Sequence, residues 1–489
     1  MRRAAGAAIC ADLSRRLAGG SWLVLGFMLC ALPVGLIAAV ASPPGTVQDE
    51  AAQLVRAAAL LHGQVFAQRR FAYDPARRVF AWEAGVEAPV QIAKVVLHPF
   101  GLADGRMVAR AVDMAAIAAQ ARPRRLHLGV RFFFYCPNTA LYFPLTYVPA
   151  ALGLLAGAVL AHGAPAALLC ARLACLAMYL AMGALALGIA AYGEAVLLAV
   201  LLLPFSLYLA GSVNQDGMLV GLAVLGVAAV TRGGRWRWLG LAALSVLAAG
   251  KPTYLPLIGL AALPLRGAGW PMRAAASAAA ALLVAGLAAY TAATVAVAFD
   301  FPSTAGGGLF YHPGPLYAGD RLAWFDTSSA PDNLRALLAH PAALLSLPWR
   351  TLAGFGWPEF GQLIGRFGTA PPPLAGWFVA MWGVTLVVAL AGGWGGRRAG
   401  RIGLAAVALA ALALWLTLLG LYLSNTPVGM LQVEGFRPRY LLPLLPVLAL
   451  LRPTAPGTAR VLGLATVLAM GVFDLGYVPA TMLLDAYSW

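Results

Sequence analysis

The stretch SWLVLGFMLCALPVGLIAAVASPPGTVQDEAAQLVRAAALLHG, Ser21–Gly63, sets the terms on which the rest of the chain is read. Its first half, Ser21–Ala41, is an uncharged apolar run long enough to cross a bilayer as a helix. It is too long for the hydrophobic region of a signal peptide and has no convincing small-residue cleavage site, so it reads as a retained anchor. Pro43, Pro44 and Gly45 stop that helix, because proline has no amide to continue it and glycine tolerates non-helical dihedrals. A second helix is expected from about Asp49, with Ala52, Val55, Ala58, Ala59 and Leu61 at roughly helical spacing. That pattern describes an amphipathic helix lying along the membrane surface, which puts Asp49 and Glu50 at the water–lipid boundary. The plain structural role for Asp49 is to cap this helix at its positive end. The alternative is chemistry, and the remainder of the chain bears on the choice.

With 489 residues, 61% hydrophobic and 11% charged, the chain has more apolar surface than a water-soluble domain could cover. Many windows reach the roughly 18 to 20 apolar residues of a spanning helix, and period-2 alternation is missing, so the fold class is an all-α polytopic membrane protein. The net charge of +16 would suggest a nucleic-acid partner in a soluble protein. Here most basic residues lie between apolar runs, where they set topology, and no nucleic acid is expected. Cys10, Cys30, Cys170 and Cys175 fall in or beside predicted spans and only Cys136 lies in a loop, so there is no disulfide framework or metal-ligand spacing. Walker A, dinucleotide and HExxH signatures are missing too, and neither a nucleotide nor a redox cofactor is expected.

Arg2, Arg3, Arg15 and Arg16 precede the first span and place the N-terminus, residues 1–19, in the cytoplasm. Residues 20–299 form an N-terminal membrane module whose first outside loop is 42–140, with a second helical piece expected over Asp104–Gln120. A second outside loop, 300–372, carries STAGGGLFYHPGP and a helix after Pro331, and could act as a lid; residues 373–489 complete the membrane helices. Two apolar runs, Leu141–Ala161 and Ala164–Tyr192, are separated only by His162 and Gly163. If both crossed, the short loops holding Arg232, Arg235 and Arg237, Arg266 and Arg273, and Arg397, Arg398 and Arg401 would all face outside. Assigning Leu141–Ala161 to an outer-surface or re-entrant helix returns every one of them to the cytoplasm. The count is then about eleven spans, several of them short for a hydrocarbon core of about 30 Å.

Polar residues that interrupt an apolar chain are expensive, at about 2.5 to 3.5 kcal/mol for a charge near a helix centre. SVNQDGM presents Asn214, Gln215 and Asp216; GKPTYLPL puts Lys251 at the end of a span; EGFRPRYLLP brings Arg437, Arg439 and Tyr440 to the start of another. By the same topology all of them face the compartment of Asp49 and Glu50. Each has a structural reading as well: Asp216 as a cap, and Lys251, Arg437 and Arg439 as snorkelling cations. Together they suit a phosphate-bearing ligand beside a nucleophile that must lose a proton. Arg172, inside a span, has no partner identifiable from sequence.

The motifs PPGTVQDEAAQLVRA, LYFPLTYVPAALG, SVNQD, GKPTYLPL and FRPRYLLPLLP, in this order, resemble a bacterial multi-spanning family known as domain of unknown function 2142. Its architecture is similar to the C-type glycosyltransferases, which use lipid-linked sugars. The resemblance implies a transfer of sugar from a polyprenyl phosphate or diphosphate donor to a hydroxyl of a lipid or glycan acceptor, on the outer face of the bacterial inner membrane. Asp49, with Glu50 beside it, matches the catalytic base, and Arg439 with Tyr440 matches the residues at the donor phosphate. Pro438 stands where the pattern has glycine. Asp216 resembles a second acidic position that holds a divalent metal in some members, which leaves a metal open. The rival readings are a flippase or transporter of lipid-linked glycans, against which no inverted repeat is visible, and a non-catalytic scaffold of polysaccharide assembly.

Overall fold

The computed structural model describes residues 21–74, 79–97, 100–103, 106–109, 128–160, 163–263, 269–298, 310–368, 373–392, 400–451 and 458–487. Six helices among them are long and apolar enough to cross a membrane, and five shorter apolar helices accompany them. The all-α polytopic class therefore holds. The first spanning helix, α1 (Ser21–Ala41), shows how the two apolar faces divide. Leu23, Phe27, Cys30, Ala31, Val34 and Ala38 are buried, while Trp22, Leu25, Leu29, Leu36 and Val40 form an open stripe at helical spacing. In lipid that stripe needs no protein cover, so hydropathy alone cannot tell the packed face from the lipid face.

Two expected features of the first loop differ. The helix α2 (Glu50–Leu60) does not lie on an open surface. Its Leu54, Ala57 and Ala58 pack with α3 (Val90–Leu97) and residues of the membrane bundle. Val55 and Ala59 pack under a three-stranded antiparallel sheet of β1 (Gln68–Asp74), β2 (Val79–Pro89) and β5 (Arg131–Tyr135), which contributes Ala84, Val86 and Ala88. A sheet covering the second face is invisible to helical periodicity. The piece expected as helix over Asp104–Gln120 begins instead with a hairpin of β3 (Phe100–Ala103) and β4 (Arg106–Ala109), and residues 110–120 lie outside the described residues.

The short helix α4 (Pro137–Ala140) and a 3₁₀ turn, Pro144–Tyr147, lead into α5 (Val148–Leu160). It lies antiparallel against α6 (Ala164–Ile189), with Gly153 beside Ala171 and Gly157 beside Ala167. This is a small-xxx-small contact that brings two backbones together. Because Gly153 meets the part of α6 next to Arg172, which is tied to the end of α1, α5 runs along one end of α6 and does not parallel its full length.

The apolar run 195–210 is broken into α7 (Glu194–Leu202) and α8 (Pro204–Ala210). Pro204 forces Leu203 into an extended conformation. Then α9 (Gln215–Arg232) is buried along almost its whole length and forms the bundle's centre, followed by α10 (Trp236–Gly250).

Two of the segments that looked short for the hydrocarbon core are 3₁₀ helices, Pro252–Ala262 and Pro438–Leu450. At about 2.0 Å per residue against 1.5 Å for an α-helix, 13 residues extend about 26 Å. Prolines at 256, 443 and 446 remove amide donors that an α-helix would need. The bundle is completed by α11 (Trp270–Val295), which leaves most of its surface open. Three short helices of the second loop follow, α12 (Ala330–Ala339), α13 (Ala343–Ala353) and α14 (Trp357–Ile364), the first matching the helix expected after Pro331. Then come α15 (Gly376–Ala391), α16 (Gly400–Asn425) and α17 (Thr458–Tyr487).

A β-carbon at Gly153 would stand 2.5 Å from both Ala171 Cα and Cys170 O, whereas one at Gly286 on α11 would meet nothing. Gly153→Ala is expected to cost about 1–3 kcal/mol through overpacking against backbone. Gly286→Ala should be neutral or stabilising by up to about 1 kcal/mol through helix propensity. Thermal unfolding of the two variants in detergent checks both signs.

Candidate functional site

The residues after α1 are held by Arg172 of α6. Its guanidinium donates Nε to Glu50 Oε1 at 2.8 Å and Nη2 to Glu50 Oε2 at 2.7 Å, a bidentate pair with both side chains buried. It also donates to the carbonyls of Ala39, Ser42 and Pro43. The Ala39 carbonyl is in the last turn of α1, where no intrahelical donor reaches it, and Ser42 and Pro43 belong to the turn that follows. Glu50 Oε2 further accepts the Gly45 amide at 3.0 Å. Arg172 and Glu50 thus close the turn 42–49 from both sides. The acid that Arg172 needed is Glu50, which consequently faces away from the cavity and is not placed to act as a base.

That closed turn sets the conformation of Asp49. It is the residue before α2, but its side chain makes no capping bond, and its φ of 60° and ψ of 5° lie in the left-handed region. Among the described residues it is the one non-glycine there. Aspartate tolerates this region better than most residues, and such backbones collect at functional sites. Free of capping, the carboxylate reaches across to Arg439, pairing with its Nη2, while Arg439 Nη1 donates to Gln48 Oε1 at 2.7 Å. The third nitrogen of the fork, Nε, lies 3.0 Å from Asp216 Oδ2.

Asp216 likewise is not the cap of its helix. Asn214 is: its Oδ1 accepts the Asp216 amide at 2.8 Å, and its Nδ2 donates to Gln48 O at 2.6 Å. Asn214 therefore positions Gln48 and Asp216 and does not itself line the cavity. Gln215 joins α2 to the bundle, its amide donating to Gln53 Oε1 at 2.5 Å and its side chain accepting from Thr146 at 3.0 Å. Lys251, in the bend between α10 and the 3₁₀ helix, lies 4.0 Å from Asp216 Oδ1. Its ammonium stands 3.4 Å from the centre of the Tyr440 ring. The backbone carbonyl of Tyr440 accepts from the Tyr254 hydroxyl at 2.8 Å.

Asp49, Asp216, Lys251, Arg437, Arg439 and Tyr440 face one cavity of about 380 Å³. Arg439 is buried, with 5% of its side chain exposed, whereas 37% of the Asp49 side chain is open. The cavity is completed by residues the motifs did not single out, namely Gln53, Tyr142, Asn425 and Glu434. Gln53 was within reach of sequence reasoning, three residues after Glu50 on the helix. Glu434 was too, as the first residue of the EGFRPRYLLP motif, but Asn425 was not, because it comes from the end of α16, which Asn333 of α12 clamps with the loop beyond it through Tyr422 O, Thr426 O and the Gly429 amide. None of residues 310–368 lines the cavity, and residues 303–309 of the loop expected as a lid lie outside the described residues.

Chemically the arrangement offers an open carboxylate, a buried guanidinium fork and a buried ammonium around one volume. Burial pulls the Lys251 ammonium down to about 8, against the opposing pull of Asp216. Among the described residues no three His, Cys, Asp or Glu side chains come together as a metal-binding group.

Compared with known proteins, residues 32–448 match the model of a family described as "Predicted membrane protein (DUF2142)". No curated protein and no solved structure matches.

The two adjacent acids should separate on substitution. Glu50→Gln leaves Arg172 buried without its counter-charge and is expected to cost about 3–5 kcal/mol of stability. Asp49→Asn keeps a residue that accepts the left-handed backbone and leaves Arg439 paired with Asp216, so it should cost about 1 kcal/mol or less. Unfolding temperatures of the two purified variants provide the comparison.

Proposed function

The chain belongs to the domain of unknown function 2142 family of predicted membrane proteins, and we propose that it is a membrane glycosyltransferase using a polyprenyl phosphate or diphosphate sugar. The observation that carries this reading is the sharing of one buried guanidinium, Arg439, between an open carboxylate, Asp49, and a buried one, Asp216, at the wall of a single cavity. An inverting displacement needs a base on the acceptor side of the anomeric carbon and cations on the phosphate side, and one cavity lined by both an open carboxylate and a buried guanidinium supports that reading.

In the proposed reaction, on the outer face of the bacterial inner membrane, the acceptor hydroxyl gives its proton to Asp49 as its oxygen bonds to the anomeric carbon. The bond from that carbon to the donor phosphate breaks, and the electron pair leaves with the phosphate oxygen. Arg439, Lys251 and Arg437 stabilise the charge that gathers there. Direct displacement inverts the anomeric centre. Asp216 holds the Nε side of Arg439, so a donor phosphate can draw the Nη2 end of the fork from Asp49 without displacing the arginine. Tyr440 presents its ring to the Lys251 ammonium, and Asn214 and Gln48 hold the turn.

Asp49→Asn is expected to lower sugar transfer by roughly 10²- to 10⁴-fold with expression and folding unchanged. The assay is product formation by purified protein in detergent with extracted polyprenyl-linked donor. A native rate in this variant overturns the base assignment. In a second assay, with the protein reconstituted into sealed vesicles, relocation of donor lipid without product identifies a flippase, and neither activity leaves a scaffold.

The second expectation concerns pH. Lysine is charged below its pKa, so an ammonium pulled down to about 8 loses charge as pH rises through that value. Binding of a pyrophosphate probe should weaken between about pH 7 and 9, and Lys251→Arg, which stays charged, should flatten the profile. Identical profiles for the two proteins would remove Lys251 from phosphate binding.

A further inference from the structure

A second group of guanidinium side chains lies at the other end of the bundle. Lys251 follows the last residue of α10 and Arg237 is the second residue of that helix, so the two are separated by about 20 Å of helix. Arg237 is 1% exposed. Its Nη1 donates to Leu263 O at 2.8 Å, and its Nε and Nη2 have no partner among the described residues. Arg273, in the first turn of α11 and 8% exposed, is close enough for the two positive charges to repel each other. Tyr192, also buried, approaches the same guanidinium. Among the described residues no carboxylate pairs with Arg237, and Glu194, the acid at the start of α7, is bonded to Arg460 at 2.7 Å.

A guanidinium removed from water with two of its nitrogens unpartnered, as in Arg237, is strongly unfavourable without an anion beside it, and the nearby positive charge of Arg273 adds to the attraction for one. The backbone adds to the same field, because α10 and α11 both begin here and helix N-termini attract negative charge. Arginine forks at helix N-termini suit the tetrahedral oxygens of phosphate. Depth in the membrane indicates the source. Trp238 and Trp270 are about half exposed on the same helix starts, and tryptophan collects at the headgroup level of a bilayer.

We propose that Arg237, Arg273 and the N-termini of α10 and α11 form a binding site for a phosphate oxyanion, which in the membrane is the headgroup of an anionic phospholipid. Such basic pockets between membrane helices are a recognised mode of lipid recognition. The site is separate from the candidate cavity and does not depend on the glycosyltransferase reading.

The test is thermal unfolding of the full-length protein in neutral detergent, with added phosphatidylglycerol, phosphatidylcholine or inorganic phosphate. Phosphatidylglycerol should raise the unfolding temperature by mass action, and phosphatidylcholine should not. An equal rise with inorganic phosphate alone upholds the oxyanion site and assigns it to free phosphate. Arg237→Met removes the repulsion and fills the same space, so it should unfold no lower than the native protein without lipid and lose the phosphatidylglycerol response. Arg235→Gln, an exposed neighbour, should keep it. A native response in Arg237→Met, or none to any anion in the native protein, overturns the site. Should Arg237→Met not fold, native mass spectrometry of the unaltered protein decides: preferential retention of phosphatidylglycerol or phosphate supports the site, and equal retention of phosphatidylcholine sinks it.

Discussion

A buried bidentate ion pair between Arg172 and Glu50 is the constraint on which the rest of the structure depends. Taking a guanidinium and a carboxylate out of water costs several kcal/mol each, and only close geometry with further hydrogen bonds offsets it. Both conditions hold, since Arg172 spends its remaining donors on carbonyls at the end of α1 and Glu50 takes the Gly45 amide. The pair joins the first spanning helix, the turn after it and α6 into one rigid corner. Its consequence lies one residue away. With Glu50 fixed and α2 starting there, Asp49 is left in a left-handed conformation that its side chain does nothing locally to repay. The gain comes from across the bundle, at Arg439.

Arg439 comes from a segment nearly four hundred residues away, and it reaches Asp49 because of the 3₁₀ geometry of Pro438–Leu450. Pro438 opens that helix at a position where a missing amide costs nothing. It is extended enough to run most of the way through the membrane with 13 residues, and its first turn delivers Arg439 and Tyr440 to the same level as Asp216 and Lys251. The other 3₁₀ helix begins at that level immediately after Lys251. Two proline-rich segments thus converge on the cavity, each presenting a cation in its first turn or just before it.

The charges of the chain are divided along the bundle. Asp49, Asp216 and Glu434 face the cavity together with Lys251, Arg437 and Arg439, so cations there are balanced by acids. At the opposite end Arg237 and Arg273 face each other with no described carboxylate on Arg237. The strongly basic composition is therefore not spread evenly. One end carries acids and cations around a single cavity, and the other carries a buried guanidinium, Arg237, two of whose nitrogens have no partner among the described residues.

The sequence by itself determined that the chain lies in a membrane as a helical bundle, because apolar length is a local property and lipid acts on it locally. It also singled out Asp49, Asp216, Lys251, Arg437, Arg439 and Tyr440, since an ionisable group in an apolar chain stands out wherever it points. Only the tertiary structure decided which of Asp49 and Glu50 faces the cavity. They are adjacent, equally acidic and equally placed in the motif, and differ only in what lies across from each, Arg439 in one case and Arg172 in the other. Long-range partners also decided that Asn214 and not Asp216 caps α9, that a sheet covers α2, and that Asn425 and Glu434 complete the cavity. Periodicity reports which face of an element is apolar, but a buried polar group is specified by the donor or acceptor opposite it. That partner is brought there by the fold.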